Sequence, residues 1–408
     1  MKKSILKKYA QLTAKIGANV QKGQDVVIYA DVDQEELVTY IVEECYKLKA
    51  RKVIVNWNSD KVSKLNLLKE NVKTLSEVTP FEIEKQKYYN DKLPAMIYID
   101  SGNPDAFKGV NQAKVAEISK NRYSVIKPYR DERDNKYQWT IIGAANKAWA
   151  KKVFPDLSVN KAVAKLWEAI LYTSRVNDDP IKSWNEHNAD LEKRTATLNS
   201  LDIDYLEYKS SNGTDFKVWL NKNVIWEAGG EKTLGSNIFF NPNIPTEECF
   251  TSPIKGKAEG KVVASKPLSY QGQLIENFYL IFKDGKVSEV HAEKNEELLK
   301  QMVNMDEGAS YLGECALVPF DSPINNLGIL FYNTLYDENC CCHLALGAGF
   351  TNLVKNYQNY TNDELHQMGI NDSSIHVDFM IGSQDLNIKA HLRDGKVVDI
   401  FKDGNWAF

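Results

Sequence analysis

Gln24-Asp-Val-Val-Ile-Tyr-Ala30 reads as a short buried strand, and its neighbours downstream decide the first half of the fold. A brief apolar run bounded by polar residues is expected of a strand covered on both faces. Residues 35–50 come next with Leu37, Ile41, Val42 and Tyr46 at helical spacing, and Lys52-Val-Ile-Val-Asn-Trp57 then reads as another strand. Helical stretches fill 61–89 and lead to a third strand, Ala95-Met-Ile-Tyr-Ile-Asp100. Strands that alternate with helices predict a parallel sheet with helices packed against it. A dinucleotide site in such a sheet needs a glycine-rich turn after the first strand. Ala30-Asp-Val-Asp-Gln stands there instead, which argues against nucleotide binding.

Upstream, residues 5–20 carry apolar side chains at helical spacing. The start, Met1-Lys-Lys-Ser-Ile-Leu-Lys-Lys, is basic without a continuous apolar core, as in an amphipathic helix and unlike a signal peptide. Downstream, Gln138-Trp-Thr-Ile-Ile-Gly143 is a further strand candidate, and 159–176 and 180–201 are long helical patterns, the second opening with Pro180. These elements make an α/β N-terminal domain, residues 1–200, with a mainly parallel sheet.

From Ile203 onward short strands dominate, at 205–210, 216–220, 224–228, 260–265, 278–283 and 287–292. Asp284-Gly285 is a hairpin signal that recurs at Asp394-Gly395 and Asp403-Gly404. Helical patterns interrupt at 293–305 and 328–336. The expectation is a β-rich α+β C-terminal catalytic domain, residues 201–408, and it holds every candidate ligand.

The chain has 408 residues, 51 basic and 55 acidic, for a formal net charge of -4. That balance argues against nucleic acid or an anionic membrane surface as a partner, and no apolar run reaches membrane-spanning length. Six cysteines include the run Cys340-Cys341-Cys342 and no Cys-x-x-Cys pair. Adjacent cysteines fit disulfide geometry poorly, so the thiols are expected to be reduced and the protein cytoplasmic. The run itself reads as small side chains in a crowded place.

Four stretches carry chemistry. In Ser374-Ile-His-Val-Asp-Phe-Met-Ile-Gly382 the apolar residues alternate with His376, Asp378 and Met380, so His376 and Asp378 project to one face of a strand. Burying that pair is costly unless something holds it, and a divalent metal does so. Asn243-Ile-Pro-Thr-Glu-Glu-Cys-Phe-Thr251 offers two adjacent carboxylates, Glu247 and Glu248, of which an extended chain turns only one toward a given point. In Tyr311-Leu-Gly-Glu-Cys-Ala-Leu-Val-Pro319, Glu314 interrupts an apolar run, where a carboxylate needs a partner or a metal. His343 lies among small and apolar residues in Asp337-Glu-Asn-Cys-Cys-Cys-His-Leu-Ala-Leu-Gly-Ala-Gly349. Together these supply three carboxylates and two imidazoles, a nitrogen and oxygen set suited to zinc, cobalt or manganese and too large for one tetrahedral ion. His187, His291, His366 and His391 lack such company in sequence and are assigned to surface or packing.

At these residues the chain resembles the aminopeptidase S and aminopeptidase T family of thermophilic metallo-aminopeptidases. The resembling stretches are Asn243-Ile-Pro-Thr-Glu-Glu, Leu312-Gly-Glu, Phe331-Tyr-Asn-Thr-Leu-Tyr-Asp-Glu-Asn, His343-Leu-Ala-Leu-Gly and His376-Val-Asp-Phe-Met-Ile-Gly, with Tyr137-Gln-Trp-Thr and Ala148-Trp-Ala in the first domain. The resemblance implies two divalent metal ions held by Glu248, Glu314, His343, His376 and Asp378, and it alone selects Glu248 over Glu247. It implies release of N-terminal amino acids from peptides through a hydroxide bridging the metals, with Glu314 as candidate catalytic base or bridging ligand. It also implies a homodimer enclosing its active sites. One position departs: the family pattern places a tyrosine seven residues after the His343 equivalent, and Phe350 stands here. That substitution motivates an alternative, a metal-binding homodimer of weakened catalysis with a binding or structural role. A hydrolase of non-peptide amides or esters fits the same ligands.

Overall fold

A computed structural model describes residues 2–408. Packing divides the chain into two compact units: one takes the chain up to Glu186 together with Gly230–Pro245, the other His187–Gly229 together with Thr246–Phe408. The expected single boundary at residue 200 therefore differs from the observed division. The helix Pro180–Ser200 runs across the first crossing, and a later segment returns to the first unit. Nothing in composition marks that return.

The first unit is built on parallel strands β1 (Asp25–Asp31), β2 (Lys52–Asn58), β3 (Ala95–Asp100) and β4 (Trp139–Gly143), in the order β2-β1-β3-β4. The short strand Asn243–Ile244 extends the sheet beside β4, also parallel. Val26, Val27 and Ile28 are fully buried, as the apolar run requires, and the helix Glu35–Lys47 packs Leu37, Val38, Ile41 and Cys45 inward. The α/β expectation for this half is met.

The second unit holds a nine-stranded sheet, antiparallel in its strand pairings, and a smaller five-stranded one. Asp284-Gly285 and Asp403-Gly404 turn hairpins of the larger sheet with positive φ at both residues, the backbone that this dipeptide favours. In the smaller sheet, β5 (Cys249–Thr251), β6 (Leu312–Leu317), β7 (His343–Gly347) and β8 (His376–Met380) pair antiparallel in the order β8-β7-β6-β5, and the two-residue strand Glu227–Ala228 edges β5. Two expectations need correction here. The helix expected over 328–336 is only the turn Thr334–Asp337, because Tyr332 takes positive φ just before it. The strand expected over 224–228 shrinks to its last two residues.

Candidate metal centre

Register decides which side chains of the small sheet meet. Residues directly opposite one another in an antiparallel pair share a face. Phe250, Ala316, His343 and Met380 form one such row, and Glu314, Ala345 and Asp378 form the next. His376 lies one row further, opposite Gly347. The reverse face, with Cys249, Cys315, Leu317, Leu344 and Phe379, belongs to the unit's hydrophobic core.

Glu314 reaches the ligand face through a β-bulge. Leu312 opposes Leu346 and packs in the core, whereas Glu314, two residues on, opposes Ala345. Without an extra residue the two would share a face. Gly313 is that residue, and the register shift between Leu312 and Glu314 turns the carboxylate over. Only glycine fits: a Cβ there would lie 2.1 Å from the Ala348 carbonyl oxygen.

The five expected side chains converge as two groups of three, Glu248 with Glu314 and His343, and Glu314 with His376 and Asp378. In each group the ligating atoms lie within 4.8 Å of one another, and Glu314 belongs to both. His343 Nε2 is 3.2 Å from Glu248 Oε2, and His376 Nε2 is 3.0 Å from Glu314 Oε2 and 3.2 Å from Asp378 Oδ1. The Nδ1 atoms face backbone carbonyls, of Ala348 at 2.7 Å for His376 and of Cys341 at 3.4 Å for His343. A carbonyl accepts only, so Nδ1 carries a proton in each ring; a cation displacing the proton on Nε2 would leave Nε2 as the lone-pair donor.

The choice between the two glutamates has a structural reason. Glu248 shares the parity of Phe250 and turns to the ligand face. Glu247 lies 3.9 Å from His187 Nε2, and its N–H donates to Asn339 Oδ1 at 2.7 Å. Another carboxylate joins the cluster that was not a sequence candidate. Glu338 feels the charges of Asp378, Glu248 and Glu314, and burial together with those charges holds its carboxyl well above the usual carboxylate range. It lines a small cleft with Asp378, Tyr332 and Met380. In sequence it looks like half of a solvated Asp-Glu pair, and only its place in the Phe331–Asn339 motif marks it.

The electrostatics are those of crowded negative charge. Glu314 is 4% exposed, Glu248 8% and His343 1%. Burial pushes the Glu314 carboxyl up to about 7, with Glu248 and Asp378 adding to the shift and the His376 hydrogen bond opposing it. Burial disfavours charge on both imidazoles, but their carboxylate neighbours prevail and raise His343 to about 10 and His376 to about 12. Asp378 Oδ1 is buried without a hydrogen-bond partner despite its nearness to His376. Four carboxylates against two imidazoles, one oxygen orphaned and both Nε2 atoms turned inward, fit cations of the zinc, cobalt or manganese kind. The thiols stand apart from both groups: all six cysteines are free and buried. The run Cys340–Cys342 is tightly packed, since a Cβ at Gly382 would lie 2.5 Å from that of Cys341.

Phe350 sits against the ligands. Its ring centroid is 5.1 Å from that of His376 and 5.3 Å from that of Phe250. The other four histidines each meet a single carboxylate away from the cluster, as His391 meets Glu207 at 3.5 Å, and form no group of three among the described residues.

A buried carboxylate–imidazole cluster of this kind suits a metalloprotein, and comparison names the class. The chain belongs to the thermophilic metalloprotease family M29, whose family model matches residues 2–406. It is 42% identical over 405 residues to aminopeptidase AmpS of Bacillus subtilis (strain 168), covering 99% of this chain and 98% of that protein. Among solved structures, wild-type AmpT from Thermus thermophilus superposes with a TM-score of 0.91 at 33% identity, covering 100% of both chains. A 2,5-dihydroxypyridine dioxygenase from Pseudomonas putida KT2440 has a TM-score of 0.51 at 12% identity over 100% of this chain and 98% of its own, a likeness of fold alone.

Proposed function

We propose that the protein is a co-catalytic dinuclear aminopeptidase that releases N-terminal amino acids from peptides. Its family and curated relatives make it a metal-dependent aminopeptidase, a hydrolase; the two-ion centre is our reading of the site. The observation that carries it is that Glu314 is common to two separate ligand groups. Glu248 and His343 would hold one ion, His376 and Asp378 the other, with Glu314 shared and Glu338 as an additional ligand beside Asp378. When bound, two such ions supply Lewis acidity: they lower the pKa of a shared water and polarise the scissile carbonyl.

The protein's own groups do the rest. The Ala348 and Cys341 carbonyls orient the two imidazoles. Glu314, buried between the two ligand groups, is the candidate to accept a proton and return it to the leaving amine. We infer a cytoplasmic location from six unpaired cysteines, and a homodimer from the family resemblance. A second reading, a metal-binding protein of weakened catalysis, draws on Phe350 alone. The test is to strip the protein of metal, reload it with zinc, cobalt or manganese, and assay a panel of dipeptides and aminoacyl p-nitroanilides. Release of the N-terminal residue with at least one metal supports the peptidase; no release with any of them favours the second reading.

A further inference from the structure

The ligand face of the small sheet continues beyond the ligands. Glu227, on the edge strand, lies directly opposite Phe250, which lies opposite Ala316, which lies opposite His343. All four therefore share one face. Ala228, the other residue of that strand, packs on the core side. Between Glu227 and the metal centre the wall is aromatic: the Phe250 ring meets Phe350 edge-on, and Phe350 packs on His376.

Glu227 is half-buried. Its carboxylate has no hydrogen-bond or ion-pair partner among the described residues, in contrast to most acids this enclosed. Burial alone pushes it up to about 7. No second ligating group accompanies it, so it is not a metal site of its own.

Resting on the aminopeptidase reading above, we propose that Glu227 is a specificity-determining residue that pairs with the basic side chain of a substrate residue flanking the scissile bond. Two strand spacings, roughly 10 Å, separate the strand of Glu227 from β6, the strand that carries Glu314. An extended lysine or arginine side chain plus one hydrogen bond spans about that distance. Its methylenes would lie along Phe250 and Phe350 while its charged end reaches Glu227.

Norleucine, which keeps the four side-chain carbons of lysine and lacks the terminal ammonium, isolates the charge. Four dipeptides, Lys-Leu, norleucyl-Leu, Leu-Lys and Leu-norleucine, are compared on the metal-loaded wild type, Glu227→Gln and Glu227→Asp. The expectation is that lysine exceeds norleucine at one of the two positions by at least tenfold in kcat/KM, carried by KM. Glu227→Gln should cut that ratio to within twofold without changing the norleucine value, and Glu227→Asp should keep part of it. Calorimetric binding of the same dipeptides to metal-free protein gives the same comparison without turnover. Discriminating binding together with no hydrolysis by the metal-loaded protein would sink the peptidase reading and leave the Glu227 pairing standing. Equal treatment of lysine and norleucine at both positions, or a preference that survives in Glu227→Gln, overturns it.

Discussion

At the scale of single residues, Phe350 carries the sharpest consequence. A phenol donates a hydrogen bond to a developing oxyanion and a phenyl ring does not; losing such a donor costs on the order of 2.7–4 kcal/mol of barrier. Phe350 stands within ring contact of His376, a candidate ligand, which makes it the position to test for such a donor. Phe350→Tyr is expected to raise kcat on an aminoacyl p-nitroanilide, by up to about 100- to 1,000-fold. A rate that stays level or falls removes that role from the position. Most of the candidate ligands were legible at this scale because buried acids and imidazoles are conspicuous in apolar strands. Glu338 was not, because an Asp-Glu pair at the end of a short helical turn looks the same whether it faces water or the cluster.

Elements hold the ligands in place. The bulge at Gly313 turns Glu314 away from the core, and the space there admits no side chain. Gly313→Ala is expected to lower metal affinity by tenfold or more, on the order of 1.4 kcal/mol, in a competition titration with a chromogenic chelator, while circular dichroism stays native-like. Unaltered affinity would mean that the bulge does not position Glu314 for metal. The start of β8 is fastened by Asp306, which accepts hydrogen bonds from Ala309 N at 2.9 Å, Ser373 Oγ at 2.7 Å and Ser374 N at 2.7 Å, and from Ser374 Oγ. Burial pushes its carboxyl upward, but the donors from Ser374, Ser373 and Ala309 outweigh burial and hold its pKa below the ordinary value. Its contribution to stability is thus full above the unfolded value near 4 and is lost as pH falls through the lower folded one. Asp306→Ala should cost about 1–2 kcal/mol at neutral pH, and denaturant titrations should show that gap closing under acid; a gap independent of pH contradicts the assignment. Strands and hairpins were readable from alternation and Asp-Gly turns. The bulge was not, since a glycine inside a strand pattern is equally a weak point or a close approach.

For the whole molecule, the two fold classes were visible in the change of pattern near residue 200, from long helices with buried strands to short alternating strands. The division itself was not. It depends on Gly230–Pro245 returning to the first unit, a long-range pairing of Asn243–Ile244 with β4 that local composition does not encode. Metal linkage belongs to this scale as well. Ions that bind only the folded state stabilise it by about 4 kcal/mol each at 1,000 times Kd, so chelation should lower Tm by roughly 10 °C or more in a protein of this size. Restoring zinc, cobalt or manganese should bring both Tm and activity back. A Tm indifferent to chelator would mean that the acid cluster is stable without cations.

The central claim is a pair of ions sharing Glu314, and anomalous diffraction from a crystal grown with zinc, cobalt or manganese addresses it directly. Two peaks are expected about 3.5–4 Å apart, one among Glu248, Glu314 and His343, the other among Glu314, His376 and Asp378. A single peak, or peaks outside these residues, would contradict it.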